Sequence, residues 1–176
     1  MKKDFIIITA IILFVAILFS GTKIQSVEQY QLTHIDDITA NSKTVTLEIE
    51  SKSLLSNESL LKPELRAYLP TDGVVLEKKE YVLRNGDTAF DLLQRATRYH
   101  QIQMEYQGAN DNAFKSAYIQ GINYLYEFSA GSQSGWMYAV NGEFPNVGVS
   151  RYLLKDGDEV QFKYTINLGD DIGGGQ

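Results

Sequence analysis

The 176-residue sequence has no cysteine, only two histidines, three prolines and a single tryptophan. Without cysteine there is no disulfide, no thiol nucleophile and no thiolate metal ligand. His34 and His100 lie far apart in the chain, so two ordinary surface histidines are a better reading of them than a zinc site. A basic excess is missing as well. Sixteen Lys and Arg against 22 Asp and Glu leave a net charge of −6, which argues against a general affinity for nucleic-acid phosphates. Gly131-Ser132-Gln133-Ser134-Gly135 places Gln133 where a nucleophile elbow needs serine. No phosphate-binding loop of the G-x-x-x-x-G-K-[ST] type occurs. Asn110-Asp111-Asn112 lacks the alternating ligands, the glycine and the distal glutamate of an EF-hand. Asp156 and Asp158 flank a turn glycine and read as a solvated turn rather than an acid–base pair. Asp170-Asp171 offers at most a weak cation contact. Leu69-Pro70-Thr71-Asp72-Gly73 has the wrong order for a wall-sorting signal and reads as a turn. These absences point away from an enzyme, and nothing in the chain requires a cofactor.

What is present suits a folded domain. Hydrophobic residues make up 44% and aromatic residues 11% of the chain, enough for one core that needs neither disulfide nor metal. Met1-Lys2-Lys3-Asp4 precedes an apolar run from Phe5 to Phe19, broken only by Thr9. A basic start followed by a short apolar core predicts a secretory signal or signal anchor over 1–22. As a helix, 5–22 would span about 27 Å, slightly less than a ~30 Å hydrocarbon core. The lysines predict a start retained in the cytoplasm, with the rest of the chain extracytoplasmic and either membrane-anchored or secreted. Residues 23–42 read as a linker, 43–172 as the domain and 173–176 as a flexible tail.

Within the domain, Val45, Leu47 and Ile49 alternate with polar residues and predict a strand. The stretch from Ser53 to Leu61 fits a short helix or a loop, stopped at Pro63. Val74 to Leu76 and Tyr81 to Leu83 predict two further strands. Asp87-Thr88 opens a helix: Thr88 and Asp91 form a capping-box pattern, and Ala89, Leu92, Leu93 and Ala96 recur at helical spacing. Arg95 and Arg98 are expected on its outer side or in its last turn. Ile102 to Tyr106 and Tyr118 to Ile122 predict strands, as do Trp136-Tyr138-Val140 and Val160-Phe162-Tyr164. Asn141-Gly142 is the pair that a tight type I′ reversal needs. The fold class is α+β: a mostly antiparallel twisted sheet with one packed helix.

One place suggests recognition. Trp136, Tyr138, Phe144, Pro145 and Tyr152 gather near Asn141 and Asn146. Aromatic faces offer large apolar area at little entropic cost, and asparagine amides can fix the polar edges of a ligand. The alternative for Trp136 and Tyr138 is the core of a small sheet.

The segment from Ser134 to Thr165, S-G-W-M-Y-x-V-N-G-x-x-P-N-x-G-x-S-x-Y-x-L-K-D-G-D-x-V-x-F-x-Y-T, resembles the bacterial family DUF4430. Tyr118 to Asn123 and Leu125 to Phe128 extend the resemblance, which covers most of the chain after Lys43. That family is similar to the C-terminal β-domain of transcobalamin and intrinsic factor, which implies a β-grasp-like ligand-binding fold. Relatives often carry cysteine pairs at places that Ser51, Ala130, Val149 and Ile166 occupy here, so packing must replace the cross-links. In the cobalamin carriers the β-domain closes over one face of the corrinoid, against a helical domain that has no counterpart in this sequence. The resemblance therefore implies cobalamin or a related corrinoid as ligand, with a second protein such as a transporter component completing the site. The alternative is a cell-surface module that binds wall glycan or protein and no small ligand.

Overall fold

The computed structural model describes residues 2–19, 30, 35–113 and 115–174. Most of the expected linker, His34 and the last two residues of the expected tail lie outside the described residues. The chain divides into two units, Met1–Tyr30 and Gln31–Gln176. In the first, helix α1 (Lys2–Phe19) exposes its apolar side chains from Phe5 to Val15, and the Thr9 hydroxyl donates to the Phe5 carbonyl. Among the described residues no helix is long and apolar enough to cross a membrane.

Among the described residues the second unit holds seven strands and one α-helix. Strands β1 (Thr44–Glu50), β2 (Val74–Val82), β6 (Gly135–Val140) and β7 (Glu159–Thr165) form a mixed sheet in the order β2-β1-β7-β6. Its two central strands, β1 and β7, run parallel, and the outer pairings are antiparallel. A second, antiparallel sheet has the order β3 (Met104–Gln107), β4 (Tyr118–Ile122), β5 (Leu125–Tyr126). The α+β class therefore holds, with two sheets in place of the single one expected. Helix α2 (Ala89–Tyr99) begins at the Thr88–Asp91 capping box.

Alternation explains the core. Val45, Leu47 and Ile49 of β1 and Val160 and Phe162 of β7 point to one face and are essentially sealed from water, together with Leu92, Leu93 and Ala96 of α2 and Ile119 and Ile122 of β4. A smaller cluster of Leu54, Leu61, Leu125, Ala130 and Tyr164 lies beside it, and Trp136 packs against both. Ala130 and Ile166, two of the positions where relatives were expected to carry cysteine, meet in that smaller cluster.

Three expectations are corrected. Residues 74–82 form one strand rather than two. The charged run Glu77 to Glu80 between the two expected spans stays extended because β2 is a sheet edge, where exposed Lys and Glu discourage pairing with other chains. Buried Leu76 and Tyr81 cannot share a face under strict alternation; a register shift opposite Leu47–Ile49 turns both inward. Arg95 is not on the outer side of α2 but buried at 4% exposure. Its Nη1 and Nη2 donate to the Asp87 carboxylate at 3.1 and 2.8 Å, and Nη2 also donates to the Val82 carbonyl. Finally, Pro63 opens a 3-10 turn over Pro63–Tyr68 instead of only ending what precedes it.

Candidate functional site

The groove is built from β6, the loop that follows it and the start of β4. Its near end is the reversal after β6. Asn141 and Gly142 have φ of +54° and +82°, the left-handed pair of a type I′ turn, and Val140 and Glu143 exchange backbone hydrogen bonds across it. Asn141 is fully engaged below the turn. Its Nδ2 donates to Asp158 Oδ1 and its Oδ1 accepts from the Glu159 amide, both at 2.9 Å. Asp158 Oδ2 accepts from the Lys155 amide, and Asp156 Oδ1 accepts from the Thr44 amide. The two aspartates thus tie the turn to the start of β1.

The far end is equally well held. An α-helix leaves its first amides without intrahelical partners, and here the loop supplies them. Ala89 and Phe90 donate to the carbonyls of Tyr152 and Val149, each at 3.1 Å. The Ser150 hydroxyl accepts from the Ala117 amide at 2.9 Å and meets the Ser116 hydroxyl at 3.0 Å. Gly148 allows this approach: a Cβ there would lie 2.2 Å from Ser116 Cβ. Asp87 also contributes, since its carbonyl accepts from the Leu154 amide. The buried Asp87–Arg95 pair therefore helps to fix both α2 and the loop.

Between these anchors the chain from Phe144 to Gly148 forms one wall of an open groove of about 550 Å³ beside β6. Trp136 and Tyr138 line it from β6, Ala117 and Ile119 from the β4 side, and Phe144 and Pro145 from the loop. Phe144 and Pro145 are half-buried and Asn146 is exposed. Trp136 is fixed by its indole N–H, which donates to the Leu125 carbonyl at 2.7 Å, and by an edge contact with Tyr164. Tyr138 stacks on Phe162 and donates its hydroxyl to the Val147 carbonyl. Burial, with the neighbouring Tyr152, pushes the Tyr138 hydroxyl up to about 12, so it stays a donor across the physiological range. Beyond the loop, Gly174 donates to the Gly169 carbonyl. A Cβ at Gly174 would lie 2.9 Å from Phe144 Cγ, so its backbone abuts that ring.

Five of the seven sequence-nominated residues, Trp136, Tyr138, Phe144, Pro145 and Asn146, meet in this groove. Asn141 is exposed in the turn itself and does not line the groove, and Tyr152 lies edge-on to Tyr138 at 6.2 Å. Sequence reasoning missed the opposite wall at Ser116 to Ile119, and Arg151 at the rim. Tyr118 to Ile122 was legible as a strand, but no local signal says which partner it faces. Among the described residues, none that line the groove is Asp, Glu or His. The groove offers apolar walls, one cation, and hydroxyls and amides, an arrangement suited to holding a molecule.

An α+β domain with a loop-roofed groove at a sheet edge is thus the class that fold and site define. Residues 86–166 match the family described as Domain of unknown function (DUF4430), the family that the motif from Ser134 to Thr165 resembles. No curated protein matches the sequence. Among solved structures, the chain is similar to a protein of Ruminococcus gnavus ATCC 29149 provisionally described as a metal binding protein. That match has 12% identity and a TM-score of 0.43, over 70% of this chain and 96% of the other. It is also similar to haptocorrin in complex with Cbi, at 12% identity and a TM-score of 0.47, over 76% of this chain and 27% of the other. The chain therefore spans about a quarter of the haptocorrin length.

Proposed function

We propose that residues 43–172 form a non-enzymatic binding module that takes a small organic molecule in the groove beneath Phe144–Gly148. The observation that carries this reading is the cavity of about 550 Å³ lined by Trp136, Tyr138 and Phe144, within the size range of ordinary ligand sites. Loops held on a rigid scaffold commonly carry recognition, and this one is pinned at both ends by hydrogen bonds. The non-catalytic part of the reading is supported by a lining without carboxylate or imidazole and by a Tyr138 hydroxyl held protonated.

A corrinoid is the first ligand to test, because the motif from Ser134 to Thr165 resembles DUF4430, a family similar to the transcobalamin-type β-domain. The order β2-β1-β7-β6 with a parallel central pair, and α2 following β2 in the chain, supports the β-grasp-like description. The basic start and apolar run of α1 support an extracytoplasmic module held at the membrane by residues 5–22, or secreted if that segment is removed. A groove open on one side covers only part of a flat ligand, so a membrane transporter component is the partner proposed to complete it.

Trp136 is the sole tryptophan and lines the groove, so its emission reports occupancy. Titration of the detergent-solubilised full chain with cobinamide and cobalamin, corrected for ligand absorbance, should give saturable quenching that Phe144→Ala weakens. Linear, non-saturating quenching that is identical in the variant would refute the corrinoid reading.

A further inference from the structure

We propose that the groove also accepts an extended peptide segment, which adds as a short strand to the free edge of β6 and sets an acidic side chain against Arg151. This goes beyond the small-molecule reading and does not rest on it.

The phase of the β6–β7 ladder carries the argument. In an antiparallel pair, hydrogen-bonded and non-hydrogen-bonded partners alternate. The Asn141 amide donates to the Glu159 carbonyl, which makes that pair a bonded one. Counting back along the register, Ala139, Met137 and Gly135 also bond to β7, opposite Gln161, Lys163 and Thr165. Trp136, Tyr138 and Val140 therefore turn their N–H and C=O groups away from β7. β6 is the last strand of its sheet, so among the described residues these groups bond to no further strand, although β4 runs close by. At Val140 both are used by Glu143 across the tight turn. At Trp136 and Tyr138 neither backbone group has a partner among the described residues. The two residues whose ladder groups are free are two that line the groove.

An extended backbone is the ligand whose donors and acceptors alternate at the spacing such an edge presents. The free ladder spans only Trp136 to Tyr138, so the added strand is short. A second copy of this chain does not suit the site, because the loop from Phe144 to Gly148 and the wall at Ser116 to Ile119 flank the edge. A single strand is narrower than the margin of a folded sheet, and the groove between these walls is the room it would use. The charge of the segment follows from Arg151, which is exposed at the rim and makes no ion pair among the described residues. In a chain of net charge −6, such an unpaired cation selects a carboxylate.

The test uses the ¹⁵N-labelled full chain in detergent micelles. The probe is a pool of acetylated, amidated pentapeptides made of valine, threonine and tyrosine with one central aspartate. Saturable shifts of the Trp136 and Tyr138 amides are expected, lost with an N-methylated pool and several-fold weaker with lysine in place of aspartate. Arg151→Glu should reverse the preference between the aspartate and lysine pools. No saturable shift at those two amides up to low-millimolar peptide overturns the proposal, as does equal binding of the N-methylated pool. Cobinamide is titrated in parallel. Peptide shifts without cobinamide quenching would uphold this inference and sink the corrinoid reading, and cobinamide quenching without peptide shifts would do the reverse.

Discussion

Asn141 and Asn146 stand in one short run of sequence and were nominated together as ligand contacts, yet the structure puts them to different uses. Asn141 has a positive φ and both amide atoms bonded inside the protein. Asn146 is exposed, lines the groove and makes no hydrogen bond among the described residues. The two are chemically identical, so hydrogen-bond saturation separates scaffold from contact surface. The same contrast divides the domain. Asp87, Arg95, Asp156 and Asp158 are consumed in holding elements together, whereas Arg151 and the outward groups of Trp136 and Tyr138 are not.

That division predicts where substitutions should be felt. The largest loss is expected for Asp87→Ala, which strands the buried Arg95 guanidinium and should cost about 3–5 kcal/mol in urea unfolding. Replacing both partners, as Asp87→Ala with Arg95→Leu, should recover part of that loss, and no recovery would mean the pair is not the cause. Next, Asn141→Ala should cost about 1–2 kcal/mol, because it removes two hydrogen bonds and leaves alanine at a positive φ. Its groove should bind as before at temperatures where the variant stays folded. Asn146→Ala should leave stability within about 0.5 kcal/mol of the parent while weakening any ligand that quenches Trp136. A stability loss at Asn146 equal to that at Asn141 would break the comparison.

The smallest effect concerns acidity. Burial, and then the charge of Lys79, lower the His100 pKa below its ordinary 6.5, while His100 Nε2 lies 3.1 Å from the Tyr81 hydroxyl. A histidine with a depressed folded pKa favours the native state above its unfolded pKa, and that stability is lost as pH falls through the folded value. Thermal melts should therefore drop slightly between pH 7 and pH 5, and less so in His100→Gln. The carboxyls of Asp36, held low chiefly by its hydrogen bond from Arg84, and Glu48, also lowered, lose their contribution as pH falls from around their ordinary 3.8 and 4.5, mostly below that window. Equal slopes in the two proteins would assign the pH dependence elsewhere.

Much of the scaffold was legible because local chemistry specifies it. The Thr88–Asp91 box, the Asn141-Gly142 reversal and the alternation of Val160, Phe162 and Tyr164 each follow from neighbours in sequence. The break expected at Glu77 to Glu80 failed because edge position, a tertiary property, decides whether a charged run can stay extended. Arg95 was misplaced for a related reason. Helical spacing predicts a face, but burial of a charge depends on a partner, and Asp87 reaches it from outside the helix. The groove was half visible: its aromatic wall lies in one motif, while Ser116 to Ile119 join it only through long-range packing, and Arg151, inside the motif, carries no sequence signal that it lines the groove.

The contact between Gly174 and the Phe144 ring has a practical corollary for work with this molecule. Anything attached at that glycine sits against a ring that lines the groove. An affinity tag or fluorophore there would be delivered to the very rim whose occupancy is to be measured, so labels belong at a distant position, such as the exposed turn around Asp72.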